Sequence, residues 1–167
     1  LNITGNTEAV IITGGSISST DTNAIVNATS GIVTATVSAD TAANLNTNLV
    51  NATATDVLTL TVSAGSVAAT DLTALDNKTS VAVNAAAVTA LIGTAAEIQA
   101  AYTANTAGTI SGLGNEAVTI SDETSAVNIN GILSKTSGVV TATVTSDTAA
   151  SLNSALTNTT GNDALTL

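Results

Sequence analysis

The sequence of 167 residues contains no Cys, His, Met, Phe, Pro, Trp or Arg, and Tyr102 is its only aromatic residue. Without His and Cys, the chain cannot build a Ser/His/Asp or Cys/His nucleophile system, a zinc, haem or iron–sulfur centre, or a disulfide. A pair of carboxylates for glycoside chemistry needs a sugar cleft beside it, and one Tyr cannot supply the aromatic platforms that usually line such a cleft. We therefore expect a protein that is not an enzyme and that carries no cofactor.

Positive charge is also scarce, since only Lys78 and Lys135 oppose twelve acidic residues and the net charge is −10. Nucleic-acid binding depends on Lys and Arg to neutralise phosphates, so this balance excludes that class of partner. Thr, Asn or Ser interrupts every apolar run before it reaches the roughly 18 residues of a membrane span. We expect no membrane span, and no secretion signal within these residues.

The residues that are abundant are small or β-branched, with 33 Thr and 31 Ala in the chain and a hydrophobic fraction of 44%. This composition is too apolar for a disordered chain, so we expect it to fold. An interior of Ala and Val with scattered Leu and Ile suits thin, closely spaced layers. The composition therefore favours a flat or rod-like solenoid over a sphere.

A long internal repeat is the main signal in the sequence. Residues 30–46, SGIVTATVSADTAANLN, recur at 137–153 as SGVVTATVTSDTAASLN, and at the same spacing DVLTL at 56–60 recurs as DALTL at 163–167. Near the start, GNTEAVIIT corresponds to GNEAVTIS from Gly114, with one residue deleted. We call the spacing from Ser30 to Ser137 the long period, and divide the single segment 1–167 into one complete period, 1–113, and a partial second period, 114–167.

Shorter units lie within the long period, and each opens with a strand that alternates apolar and polar residues. The spacing is mostly about 21–27 residues, while one longer unit carries an additional segment, 108–114, that we interpret as a short strand or a turn. The predicted strands begin near Val10, Ile32, Leu58, Val81, Val118, Val139 and Leu165.

Short helices are predicted after the strands, because Asp40, Asp147 and Thr70 precede Ala- and Leu-rich segments, and Thr94 and Glu97 have the spacing of a capping box. Two or three helical turns do not persist alone, so neighbouring units must stabilise them. We predict an α/β repeat solenoid with one strand and one short helix per coil and a parallel sheet on one face. A parallel β-helix, in which the same segments are extended, is the alternative.

The alternation places apolar residues of the strands inward and Thr outward, as in GIVTATV at 31–37. Regular TxT pairs resemble the ice-binding surfaces of some antifreeze proteins, although Thr is also an ordinary choice in strands. Ile11, Ala82 and Asn84 interrupt the pattern. The predicted exposed Thr face consists of Thr34, Thr36, Thr59, Thr61, Thr141 and Thr143.

Four acidic residues recur where a strand turns into a helix, namely Asp21, Asp40, Asp71 and Asp147. Stacked coils would bring their oxygens into line as calcium ligands, and the competing interpretation is helix N-capping. The EF-hand loop and the glycine-rich calcium repeat are both absent from the sequence. The adjacent Asp122 and Glu123 are interpreted as a solvated loop at a strand end.

The segments VTATVSADTAANLN, ATDLTALDNKTSVAVNA, LIGTAAEIQAAYTA and GTISGLGNEAVTIS resemble the repeats of very long bacterial surface and secreted proteins, especially those of cyanobacteria. Such arrays occur in adhesins, cell-surface filaments and surface-layer proteins. The resemblance implies extracellular display, often with calcium-dependent assembly. We predict a structural stalk, filament or layer whose partners are copies of itself or neighbouring repeats. The alternative is an adhesin or ice-binding module that uses the exposed Thr face to bind a surface or glycan target.

Overall fold

The computed structural model describes residues 5–167, which contain ten strands and six helices. The strands are β1 (Val10–Ile17), β2 (Val33–Val37), β3 (Val57–Thr59), β4 (Gly65–Ala68), β5 (Val83–Asn84), β6 (Val88–Gly93), β7 (Ile110–Ser111), β8 (Ala117–Thr124), β9 (Val140–Val144) and β10 (Ala164–Thr166). The helices are α1 (Ser19–Ala28), α2 (Ala42–Asn48), α3 (Ala69–Asp76), α4 (Ala95–Ala107), α5 (Ala126–Leu133) and α6 (Ala149–Ala155).

The strands pair in parallel, with β1-β2-β3 in one sheet, β4-β6-β8-β9-β10 in a second and β5-β7 in a third. The predicted α/β class with parallel strands is confirmed. The prediction of a single sheet on one face is wrong, because some units contribute strands to two sheets. After β3 the chain turns at Gly65, whose φ of 145° suits glycine, and enters β4 at once.

The helices form a row beside the sheets, in which each contacts the next along the chain from α1 to α6. The two predicted architectures differ in the segments that follow the strands, and these segments are helical rather than extended. Helices α3 and α4 also pack on β4 and β6, the strands that lead into them. One cluster of buried Val, Leu, Ile and Ala fills the space between the helices and the sheets.

The predicted inward residues are buried in the strands that the sequence pattern identified. Val33 is inaccessible, and Ala35 and Val37 are each 3% exposed, whereas Thr36 between them is exposed. The same alternation in β9 buries every second residue from Val140 to Val144. Outward Thr and inward Val or Ala therefore give β2 and β9 one face toward solvent and one toward the core.

Elements that lie one long period apart have matching bounds. Strand β9 starts and ends exactly one long period after β2, and the same offset relates α6 to α2 and β10 to β3. The register shift between β1 and β2 also recurs between β8 and β9, with four residues skipped in the first case and three in the second. The strand of the second period is thus one residue shorter at this point, and its irregular part absorbs the difference.

Two glycines at matching positions allow backbones to approach closely. A Cβ on Gly31 would lie 2.3 Å from the carbonyl oxygen of Glu8, and one on Gly138 would lie 2.2 Å from that of Glu116. Real Cβ atoms do not come so near, so a larger residue at either position must displace backbone. Glycine here is a requirement of packing between successive units.

Candidate functional site

Five of the six helices in residues 5–167 begin with a Ser or Thr hydroxyl cap, and the four recurring Asp residues lie near helix starts. The N-cap residues are Ser18, Thr41, Ala68, Thr94, Ser125 and Thr148. The interpretation of the Asp side chains as N-caps is therefore wrong by position. A Thr or Ser hydroxyl accepts a hydrogen bond from an amide three residues later, as Thr41 Oγ1 does from Asn44 N at 3.2 Å.

Asp40 and Asp147 immediately precede two of these caps, and each carboxylate accepts a hydrogen bond from the cap amide at 2.7 Å. Asp21 and Asp71 instead lie in the first turns of α1 and α3. The Asp21 carboxylate accepts a hydrogen bond from the Ser18 hydroxyl at 2.7 Å. All four negative charges thus lie near the positive ends of helices, where they are favourable.

The predicted calcium site rests on these four residues, and no group of three or more acidic side chains in residues 5–167 comes together to hold a metal ion. Each of Asp21, Asp40 and Asp147 uses a carboxylate oxygen in a local hydrogen bond. Asp71 receives one from the Asn46 side chain of the preceding helix, at 3.4 Å. Calcium binding therefore stays a prediction of the sequence.

Two carboxylates that the sequence analysis did not single out connect successive units. Asp56 is 4% exposed, and its Oδ1 accepts a hydrogen bond from Val33 N at 2.9 Å while its Oδ2 accepts one from Thr53 N at 2.9 Å. Asp163 repeats the arrangement with Val140 N at 2.9 Å and Thr160 N at 2.7 Å. Each Asp therefore fixes the start of the strand in the preceding unit.

The environment of Asp163 favours its charged form. Burial alone would raise its pKa, but the amides of Thr160 and Val140 and the Thr160 hydroxyl donate hydrogen bonds to the carboxylate. Their combined effect outweighs burial and lowers the pKa of Asp163 below its ordinary value. The carboxylate is thus an ionised structural acceptor.

Threonine hydroxyls make the equivalent connection elsewhere. Thr29 Oγ1 donates to the carbonyl oxygen of Glu8 at 2.7 Å, and Thr136 Oγ1 donates to that of Glu116 at 2.7 Å. Thr79, which is 5% exposed, donates to the Leu58 carbonyl at 2.7 Å and accepts from the Leu58 amide at 3.0 Å. A short polar side chain before a strand therefore recurs as the link to the unit before it.

The predicted Thr face is divided between two sheets. Thr36, Thr59, Thr141 and Thr143 are exposed, whereas Thr34 and Thr61 are half-buried. Thr36 pairs with Thr59 in the first sheet, and Thr143 pairs with Thr166 in the second. The hydroxyls thus form two short arrays rather than one continuous surface, and Ile11, which is 70% exposed, lies beside the first.

A groove of about 580 Å³ runs between α4 and α5, with Tyr102 at its floor and Lys135 among its lining residues. The Tyr102 hydroxyl donates to Oε1 of Glu116, which is 2% exposed, and Oε2 accepts from Gly114 N at 2.7 Å. Burial raises the pKa of Tyr102 far above its ordinary value, and the hydrogen bond to Glu116 and its charge act in the same direction. Both side chains are thus held as a structural pair.

Two further polar contacts join neighbouring helices and strands. Asp122, interpreted from sequence as part of a solvated loop, accepts a hydrogen bond from Ala95 N at 2.8 Å, at the start of α4. That interpretation is wrong for Asp122, since the carboxylate caps a helix in the preceding unit. Lys78 donates to the carbonyl of Leu49 at 2.9 Å, where α2 ends and a cation is favourable.

No protein-family model matches the chain, and neither a curated protein nor a solved structure is similar to it at a significant level. Within residues 5–167, the structure has no helix with the length and apolarity that crossing a membrane requires.

The sequence carried a signal for the connecting carboxylates. Thr53 and Asp56 have the same three-residue spacing as Thr160 and Asp163, and each pair precedes a predicted strand. Their role is not visible in the sequence, because the strand amide that each Asp binds lies 23 residues away. Only the pairing of the units brings the two groups together.

Proposed function

We propose that this chain is a non-enzymatic structural segment of an extracellular cell-surface protein, and that its units stack as a solenoid within a stalk, filament or surface layer. The observation that carries the proposal recurs at several junctions between units: a short polar side chain just before a strand forms a hydrogen bond with the backbone of the preceding unit. Asp56, Thr79, Thr136 and Asp163 all reach the backbone of the preceding unit. A contact that recurs between neighbours is what a linear array requires.

The polar side chains support a structural role in preference to a catalytic one. The Tyr102 hydroxyl is engaged by Glu116, and the Asp side chains near the helix starts hold amides and hydroxyls. Catalytic acids and bases need a proton to exchange with a substrate in a cleft. These groups instead hold together the units that the array is made of.

The extracellular assignment rests on the resemblance of the segments to bacterial surface repeats and on the sulfur-free composition. A chain without Cys and Met has no side chain that the common thiol and thioether oxidations can alter. An acidic surface with a net charge of −10 also keeps separate rods from non-specific association.

Electron microscopy of a tandem array of several long periods tests the stacking. Each of the four units in a period adds one strand at a spacing of about 4.8 Å, so the sheet side grows by roughly 19 Å per period. Helices pack about 8–10 Å apart, which is wider than the strand spacing, so the array bends with the helices on its outer side. Particles that lengthen with every added period support the proposal, and separate globules on a flexible string contradict it.

A second function, as an adhesin or an ice-binding module, is favoured by the neighbouring exposed pairs Thr36–Thr59 and Thr143–Thr166. The measurement is ice-growth arrest and glycan binding by the chain and by Thr143→Tyr, which would interrupt the array in the second sheet. Activity that this substitution abolishes supports the second function and counts against a purely structural role. If neither the unchanged chain nor Thr143→Tyr is active, the result argues against the second function.

A further inference from the structure

The two ends of the row of units carry apolar side chains that are only partly covered. Within residues 5–167, nine partly buried hydrophobic residues pack against the core, and seven of them lie either in β1 and α1 or between the start of α6 and the end of β10. We define the N-terminal face by Val10, Ile12 and Ile25, and the C-terminal face by Leu152, Leu156 and Leu165. The residues of each face have close counterparts in the interior of the same chain.

The counterparts of the C-terminal face are completely buried. Leu45, Leu49 and Leu58 lie one long period before Leu152, Leu156 and Leu165, and each is inaccessible to solvent. Helix α3 packs against α2 in that part of the chain, whereas within residues 5–167 no later helix packs against α6. The same side chains on the same elements thus differ in exposure because, among the described residues, a further unit covers α2 but not α6.

The N-terminal face shows the same contrast. Its three residues are half-buried, whereas their counterparts Val118, Ile120 and Ile132 are 1%, 6% and 0% exposed. Strand β6 and helix α4 cover those counterparts from the preceding unit. Each face therefore has a complete interface as its counterpart inside the chain, with α3 as the cover in one case and with β6 and α4 as the cover in the other.

The units are similar enough for the first to take the place of a covering unit. Each helix has a small residue at its first position and, except at Thr22 of α1, an aliphatic residue three positions later. The seventh position is Ile25 in α1 and Leu75 in α3, the helix that covers Leu45 in the interior. Within residues 5–167, strands β1 and β10 are also terminal in their sheets, so each has an edge at which a parallel strand can pair.

We infer that the C-terminal face of one copy of this chain binds the N-terminal face of a second copy. This inference rests on the proposed function and specifies its partner and its contact surface. Because the two faces differ, the contact is heterologous, and each bound copy leaves one face free for the next. Association therefore continues into head-to-tail chains rather than closing as a symmetric dimer.

Sedimentation velocity over a concentration series tests the inference with one variant per face. Leu152→Asp and Ile25→Asp place a charge in the contact, and each lowers the association constant by at least about tenfold, which equals 1.4 kcal/mol. Thr143→Asp, on an exposed position of β9, adds the same charge away from both faces and associates like the unchanged chain. Circular dichroism and thermal unfolding verify that all three variants are folded.

A mixture of the two face variants makes the test independent of any one substitution. Leu152→Asp keeps the N-terminal face and Ile25→Asp keeps the C-terminal face, so neither variant associates alone. An equimolar mixture of the two forms a dimer and nothing larger. A dimer formed by either variant alone indicates a symmetric contact and overturns the inference. An unchanged chain that stays monomeric at the highest soluble concentration also overturns it.

These outcomes separate the inference from the proposed function. If a covalent tandem array forms extended particles while separate copies stay monomeric, the units stack within one chain and only the head-to-tail contact is wrong. If the tandem array itself forms separate globules, the proposed function is wrong whatever the separate copies do.

Discussion

At the scale of single residues, short polar side chains make the hydrogen bonds that align neighbouring units. Asp56 holds Val33 N, and Asp163 holds Val140 N in the same geometry. A buried amide without an acceptor is costly, so each carboxylate both satisfies the amide and fixes the alignment of two units. The sequence shows the matching residues, but the bond becomes visible only when the strands are paired.

Replacing Asp56 by Ala should lower the free energy of unfolding by roughly 2–4 kcal/mol, because the amides of Val33 and Thr53 lose a charged acceptor in a buried place. Asp163→Ala removes the same bonds where the surroundings are more exposed, and should cost only about 1 kcal/mol. Urea unfolding of both variants measures the difference. Equal losses would mean that burial does not set the value of this contact.

Tyr102 provides a test by pH, because it is the only Tyr and the chain has no Trp. The raised pKa keeps Tyr102 protonated in the folded protein, whereas the unfolded chain releases that proton near pH 10. Stability is therefore retained below about pH 10 and falls as the pH rises above it. We expect the ultraviolet absorbance of tyrosinate to appear only together with loss of circular dichroism.

Tyr102→Phe is the matched variant for this titration. It removes the alkaline loss of stability, and at neutral pH it costs about 1–2 kcal/mol because Glu116 loses a donor. Tyrosinate absorbance near pH 10 in a chain that is still folded would show that the hydroxyl is not held as described.

At the scale of helices and strands, local signals were reliable wherever they did not depend on pairing. The capping box predicted at Thr94 is present in full, with Thr94 N donating to Glu97 Oε2 at 2.8 Å and Glu97 N donating to Thr94 Oγ1 at 3.3 Å. The segment 108–114 was interpreted as a short strand or a turn, and it contains the strand β7, which pairs with β5. The capping box follows from chemistry confined to four consecutive residues, whereas β7 also depends on its partner strand.

Strands β4 and β6 were missed because they do not alternate regularly. In β6 the buried positions are Val88 and Leu91, three residues apart, and the pairing with β4 shifts register at Gly65. A search for a period of two cannot detect such a strand. The apolar residues of β6 are also followed directly by Thr94 to Ile98, which begin α4, so in the sequence they read as the segment that leads into this helix.

Helix capping gives a prediction with its own control. Thr94→Ala should lower the free energy of unfolding by about 1 kcal/mol, since the amide of Glu97 loses its acceptor. The N-cap of α3 is Ala68, whose side chain has no hydrogen-bonding group and is exposed. Ala68→Ser should therefore raise the free energy of unfolding by about 0.5–1 kcal/mol.

Thermal and urea unfolding of both capping variants give the comparison. The two changes are opposite in direction and affect the same kind of position, so a general effect of surface substitution cannot produce both. A neutral Ala68→Ser would indicate that the extended Ala68 backbone does not place a hydroxyl within reach of the first turn.

At the scale of the whole molecule, the repeat predicted the sequence of elements but not the division of strands into sheets. Residues one long period apart have the same secondary structure, and the predicted parallel pairing is present. The division depends on how sharply the chain turns at Gly65 after β3, which composition and periodicity do not specify. The exposure of Leu152 likewise depends on neighbours in space rather than on its own segment.

The central claim is that equivalent units bury one another, so that each apolar face is protected by the unit that follows. Attaching a second copy of residues 61–113 after Leu167, the counterpart of Leu60, completes the second period. Hydrogen exchange then compares the amides of α6 with those of α2 in the original and the extended chains.

We expect the amides of α6 to exchange faster than those of α2 in the original chain. In the extended chain they should exchange as slowly as those of α2, because the added unit covers Leu152 as α3 covers Leu45. Rapid exchange of α6 in both chains, with the added residues unprotected, would contradict the claim that equivalent units bury one another.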